Sequence, residues 1–279
     1  MRFTLFLFLL FAFSGIAYAQ ELSGSGHEEY IALMDSADVA CSEENWVKAE
    51  GFLLQALRLE PANPSNIILV SNLGMIRFYD GRDSLALATL DGAVAMAPNS
   101  VVALRNRAKV LSSAGKLEEA QADRAKIMAL DSTDVNNIYL HAVTAMMLND
   151  SSSVNADLSL METLALSDPR TFRLQAQKLV SEGRFLEAIS PLNKIIASEP
   201  ASEIYSMRAM CNLMLDRLNE ASEDIAEGLA LDPLDGELYL YRALLNKFRY
   251  RDDESADDAR RAVQLGIPIE RAAPLLPKK

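Results

Sequence analysis

The stretch Val70-Ser71-Asn72-Leu73-Gly74-Met75-Ile76-Arg77-Phe78-Tyr79-Asp80-Gly81-Arg82-Asp83-Ser84-Leu85-Ala86-Leu87-Ala88-Thr89-Leu90-Asp91-Gly92-Ala93-Val94-Ala95-Met96-Ala97-Pro98 decides the fold. Val70, Leu73 and Gly74 climb one face at helical spacing, with Arg77 the polar exception on it. Leu87, Leu90, Ala93 and Val94 climb a second face. Between them Asp80-Gly81-Arg82-Asp83 reads as a turn, with Gly81 at a left-handed helix end. Pro98 closes the unit, because proline cannot continue a helix. The stretch therefore predicts two antiparallel helices joined by a tight turn.

Outward from this unit, the same skeleton returns. One position is always small: Ala37, Gly74, Ala108, Ala142, Ala176, Ala209 and Ala243, at intervals of 37, 34, 34, 34, 33 and 34. A second small position follows twelve residues later, at Ala49, Ala86, Ala120, Ala188, Ala221 and Ser255, and only the fourth unit breaks it, with Val154. Antiparallel helices approach closely only where both carry small side chains and larger neighbours fill the grooves. A fixed stride of such positions marks an array of stacked helix pairs. Pro61, Pro98, Pro200 and Pro233 close four of the units. In unit four the turn Asn149-Asp150-Ser151-Ser152-Ser153 lacks glycine. In unit five Pro191 falls inside the second helix, which predicts a kink or a late start.

With Asn72-Leu73-Gly74, Gly81, Ala86, Ala93 and Pro98 at the family's positions, the pattern resembles the tetratricopeptide repeat. The resemblance covers 30–267 and implies an all-α, right-handed α-solenoid of about seven helix pairs, with units near 30–63, 67–100, 101–134, 135–168, 169–201, 202–235 and 236–267. It also implies that first helices line a concave wall and second helices a convex one. Each unit then buries its apolar face on its neighbours.

The two ends read differently. Met1-Arg2, the apolar run Leu5 to Phe13, then Ser14-Gly15 and Ala17-Tyr18-Ala19 read as a secretory signal peptide over 1–19, cleaved after Ala19. Export to a periplasm or to the outside follows, and no later stretch is long and uncharged enough to span a bilayer. Residues 20–29 form a lead-in. After Gly266 the tail 268–279 holds Pro268, Pro274 and Pro277, so only a very short helix fits near Pro268 to Ala273. The expectation is that the last unit leaves apolar surface uncovered, a place for a partner or a second copy of the chain.

Composition narrows the function. Half of the 279 residues are hydrophobic, aromatics are 7%, and 12 Gly and 10 Pro leave few tight turns, which favours helix over sheet. The formal net charge of −12 disfavours nucleic acid and anionic lipid as ligands of the body. Cys41 and Cys211 lie five repeats apart in the array, well beyond the roughly 7 Å Cα separation a disulfide needs, and read as free, half-buried apolar residues. His141 reads as a packed imidazole of a first helix and His27 as part of the lead-in beside Glu28-Glu29. No catalytic, phosphate-binding or metal-ligand motif occurs, so neither catalysis nor a cofactor or metal is expected.

In the family's register the first helices present a sorted surface. Asp38, Asn72, Met75 and Phe78 come from units one and two; Arg105, Lys109, Arg170 and Arg173 from units three and five; Tyr139, Val143, Met146, Met147, Met210, Leu213 and Met214 from units four and six. Lys247 and Phe248 come from unit seven. Asn72, Arg105, Lys109, Tyr139, Met146, Met147, Arg170, Arg173, Met210 and Met214 are the candidate residues for gripping a peptide segment or helix. Cations here match carboxylates, and methionines supply an adaptable apolar strip. The family's clamp for chaperone tails wants Lys and Asn on its opening helix. Met34 and Asp38 stand there, so that ligand is not expected. The sequence thus points to an exported adaptor that binds other proteins. The alternative is a structural subunit of an envelope assembly or secretion complex, working through the convex face and the C-terminal end.

Overall fold

The computed structural model describes residues 24–276; the expected signal peptide and its cleavage site lie outside the described residues. Among the described residues there is no strand, and seven helix pairs follow one another. They are α1 (Gly24–Ser42) with α2 (Trp46–Leu59), α3 (Asn66–Tyr79) with α4 (Asp83–Met96), and α5 (Val101–Ser113) with α6 (Leu117–Leu130). Next come α7 (Val135–Met147), α8 (Ser151–Leu164), α9 (Pro169–Ser181) with α10 (Phe185–Ser198), α11 (Ser202–Met214) with α12 (Leu218–Leu231), and α13 (Gly236–Phe248) with α14 (Asp252–Gln264). A single turn, α15 (Ile269–Ala272), and a 3-10 turn, Ala273–Leu275, complete the described residues. The described residues fall into two compact units, one ending at Ser153 and one beginning at Val154.

The small positions behave as the stride demands. Ala37, Gly74, Ala108, Ala142, Ala176, Ala209 and Ala243 are all buried, and so are Ala49, Ala86, Ala120, Ala188, Ala221 and Ser255. A Cβ built on Gly74 would stand 2.5 Å from Leu90 Cγ, and one on Gly228 would stand 2.5 Å from Leu238 Cδ1. The helices touch backbone to side chain at these points, and a methyl has no room. Ser255 keeps its place by donating its hydroxyl to Ala243 O at 2.8 Å, which satisfies the one polar atom it buries.

The second helices α2, α4, α6, α10 and α12 each pack on their own first helix and on the next one, as with α2 against α1 and α3, or α10 against α9 and α11. The apolar core runs accordingly. Tyr30, Leu53, Leu69 and Leu73 share one cluster; Ala176, Leu192, Ile195 and Ile204 share another. First helices also lie beside each other, α3 by α5 and α11 by α13.

Seven residues after each small position the backbone turns left-handed: Glu44, Gly81, Gly115, Asn149, Gly183, Asp216 and Tyr250 all have φ between 56° and 79°. Unit four makes the same turn as its neighbours, with Asn149 in place of glycine. Asn and Asp tolerate this region; Glu44 and Tyr250 adopt it at a steric cost.

Four expectations are corrected. Arg77 is no exception to the packing: it bridges Glu50 at 2.8 Å on α2 and donates to Thr89 on α4. The α10 helix starts in register with the other second helices and runs through Pro191, which is buried beside Leu192 and Ile195. Packing there offsets the hydrogen bond that proline cannot make. At the C-terminal end, Ala272 is buried against Leu240, Ala243, Ala259 and Ala262, with Ile267, Leu275 and Leu276 packed around them. The apolar end expected to stay open is covered by the chain's own last turns. Finally, α1 begins at Gly24, so the helix already includes His27, whose Nδ1 lies 3.0 Å from Glu60 Oε1.

Candidate functional site

Four consecutive first helices stand apart in charge. The first helices α3, α5, α7 and α9 contain no aspartate or glutamate, whereas α1, α11 and α13 do. Between them the four carry Arg77, Arg105, Arg107, Lys109, Arg170, Arg173 and Lys178. Acids are dense on some second helices: Glu118, Glu119 and Asp123 on α6, Glu220, Glu223, Asp224 and Glu227 on α12. Since a helix pair needs only its small and apolar positions to pack, this sorting is not demanded by the fold.

In the unit ending at Ser153, Arg105 and Lys109 lie four residues apart on α5 and so share a face. Arg105 donates to Asp134 Oδ2 at 2.7 Å, while the other oxygen of Asp134 accepts the amide of Asn137 at 3.0 Å and caps α7. Lys109 Nζ donates to the Tyr79 hydroxyl at 2.7 Å and stands 5.0 Å from that ring's centre. Tyr79 in turn stacks on Trp46 at 5.4 Å. On α7, Met147 is exposed (59%), whereas Met146 and Tyr139 are half-buried. Asn72 and Met75, expected at the surface, are buried (Asn72 7% exposed) and offer nothing to a ligand. The reason is register: Asn72 stands two residues before Gly74 and turns into the packing with Ser71 and Leu73.

In the unit beginning at Val154, Arg170 grips Asp168 through both oxygens at 2.9 and 2.7 Å, and the hydrogen bond from Arg170 holds that carboxyl below its usual range. Arg173 pairs with Glu203. Met214 on α11 is exposed, Met210 packs against the core around Ile195 and Ile204, and Leu213 is buried. The structure thus brings together Arg105 with Lys109 on one helix and Arg170 with Arg173 on another, and gives most of these cations a partner within the chain.

Sequence reasoning missed a recurring polar joint. Arg107 grips Asp123 through both oxygens at 2.8 and 2.7 Å, and Arg242 grips Asp258 at 2.9 and 2.6 Å. Arg208 holds Asp224 in the same way, with Nε 3.0 Å from Oδ1. Asn212 and Asn246 add a third bond, to Asp224 at 2.9 Å and Asp258 at 3.0 Å. The signal was present as an Arg and an Asp sixteen residues apart, repeating with the array. These joints tie first helix to second; their carboxylates are buried and satisfied, which marks them as structural.

The cysteines are unpaired, and burial pushes both thiols up to about 11, away from nucleophilic character. Among the described residues no three His, Cys, Asp or Glu side chains are grouped to hold a metal ion. No described helix is long and apolar enough to cross a membrane.

No protein-family model and no curated protein matches the sequence. Solved structures do resemble it. A tetratricopeptide repeat protein from Parabacteroides merdae superposes with a TM-score of 0.76 at 24% identity, over 89% of this chain and 98% of that one. Pseudomonas aeruginosa pilF gives 0.63 at 14% identity, over 78% and 98%. In the Cut9–Hcn1 hetero-tetramer of the APC/C, a chain gives 0.65 at 14% identity, over 91% of this chain and 56% of that one. The chain therefore has the fold of tetratricopeptide-repeat proteins: an all-α solenoid of helix pairs.

Proposed function

We propose that the chain is an exported, non-catalytic scaffold that binds a carboxylate-bearing polypeptide segment along its first helices. The observation that carries this reading is the complete lack of aspartate and glutamate from α3, α5, α7 and α9 in a chain of net charge −12. Within each unit, helices free of acids in an otherwise acidic protein favour acidic partners over basic ones. Exposed Met147 and Met214 add apolar contact that adapts to a partner's shape. Helices that are already packed lose little entropy when they bind. The fold supports the reading, because one similar structure stands in a hetero-tetramer with another protein. The pattern over residues 1–19 supports export, with cleavage after Ala19.

Affinity capture from the native envelope, comparing the wild type with the R105E/R173E double variant, tests it. The expected result is that the wild type retains specific acidic partners and the variant loses them. Identical captured sets would refute the first helices as the binding surface.

A further inference from the structure

The turn between α13 and α14 departs from the others. Its left-handed position holds Tyr250, where three repeats use glycine and two use Asn149 and Asp216. A bulky aromatic residue at φ 58° carries a steric cost. Its ring finds almost no cover in return, since Tyr250 is 93% exposed. Glu44 adopts the same backbone, but its carboxylate belongs in water, whereas the face of a tyrosine ring is apolar. Phe248, two residues earlier, is 45% exposed.

The backbone under these rings is well tied. Tyr250 N donates to Lys247 O at 3.1 Å, and Arg251 N donates to Asn246 O at 2.9 Å. Between the two rings, Arg249 reaches back to the start of α12. It donates to Leu218 O at 3.1 Å and to Ser222 Oγ and Asn219 Oδ1 at 3.4 Å. An exposed aromatic side chain on a fixed backbone loses little freedom on binding, which is the profile of an interface anchor.

Beside the turn lies a shallow cavity of about 300 Å³. Asn246 and Arg251, the residues bonded across the turn, line it together with Glu254, Asp257 and the Arg242–Asp258 joint. These groups suit a phenol. A guanidinium stacks on an aromatic face, as Arg242 already does on Tyr239 at 4.8 Å, and a carboxylate accepts the hydroxyl. Projecting ring and cavity thus belong to one turn. Two copies related by a twofold axis can each place the ring in the other's cavity, because in such an interface residue i meets j and j meets i.

We propose that the α13–α14 turn is a self-association surface. Tyr250 of one copy enters the cavity beside Asn246, Arg251 and Glu254 of a second copy, and the reverse, with Phe248 packing at the rim. This surface is separate from the first helices, and the proposal does not depend on what they bind.

Light scattering of the full chain across a concentration series tests it, together with a photo-reactive amino acid at position 250. The expected result is a monomer–dimer equilibrium with Kd on the order of 0.1 mM, since a contact built on two turns is small. Y250G should weaken the dimer by about tenfold or more, and Y250F should keep most of it. As a monomer, Y250G should melt no lower than the wild type, so the loss is not unfolding. R251A and E254A, both at exposed positions, should each weaken the dimer. Irradiation should join position 250 to residues 246–254 of a second copy, read by mass spectrometry of the joined peptides. A wild type that stays monomeric to about 1 mM, or a dimer undiminished in Y250G, would overturn the proposal. Adducts that join position 250 only to other polypeptides, in the cells that produce the protein, would overturn it too and make a different protein the occupant.

Discussion

The first helix α5 and the second helix α12 have nearly the same length, but they hold different places in their pairs and carry opposite surfaces. The α5 helix carries Arg105, Arg107 and Lys109 with no acid; α12 carries Glu220, Glu223, Asp224 and Glu227 with no base. Both are pinned by the same devices: a buried small residue, Ala108 or Ala221, and a share in an Arg–Asp joint, Arg107 to Asp123 or Arg208 to Asp224. Packing and surface charge are thus written in different residues of one repeat. The joint sets the fold, and the remaining positions are free to choose a partner.

Breaking the shared joint should have the largest effect. D224A leaves Arg208 and Asn212 without their acceptor in a buried setting, and should cost about 3–5 kcal/mol, read as a fall in the urea midpoint. Overpacking comes next. G74A places a methyl against Leu90, which is fully buried, and should cost about 1–3 kcal/mol. Trimming the obstacle in G74A/L90V should recover part of that loss, and strict additivity of the two substitutions would contradict the contact. The smallest effect sharpens the comparison of turns. Tyr250 is 93% exposed at φ 58°, where three other repeats use glycine, so Y250G should stabilise by about 0.5–1 kcal/mol in thermal melts.

Most of the fold was legible. The stride of small residues located every helix pair, because a backbone contact tolerates so few side chains that chance cannot imitate it. Gly81, Gly115 and Gly183 announced their turns, while Glu44 and Tyr250 did not: a left-handed residue without glycine leaves no mark in the sequence. Pro191 misled as to a late start of α10, because its local cost was visible and the tertiary packing around it was not. The open C-terminal end misled for a related reason. Ala272, Leu275 and Leu276 look too few to cover a helix pair, yet they fold back onto Leu240 and Ala262. The candidate site was legible only as a list of side chains on first helices. Which cation is already paired depends on residues some thirty positions away, as with Arg105 and Asp134 or Arg173 and Glu203, and spacing alone does not reveal that.

Whether the two surfaces differ in function can be asked directly by placing a photo-cross-linking amino acid at Met147 on α7 or at Val47 on α2, both well exposed, and identifying the adducts formed in the cells that produce the protein. Polypeptide adducts from position 147, suppressed by an excess of a peptide ending in free carboxylate, with none from position 47, are the predicted result. Adducts from position 47 alone would contradict the assignment of binding to the first helices.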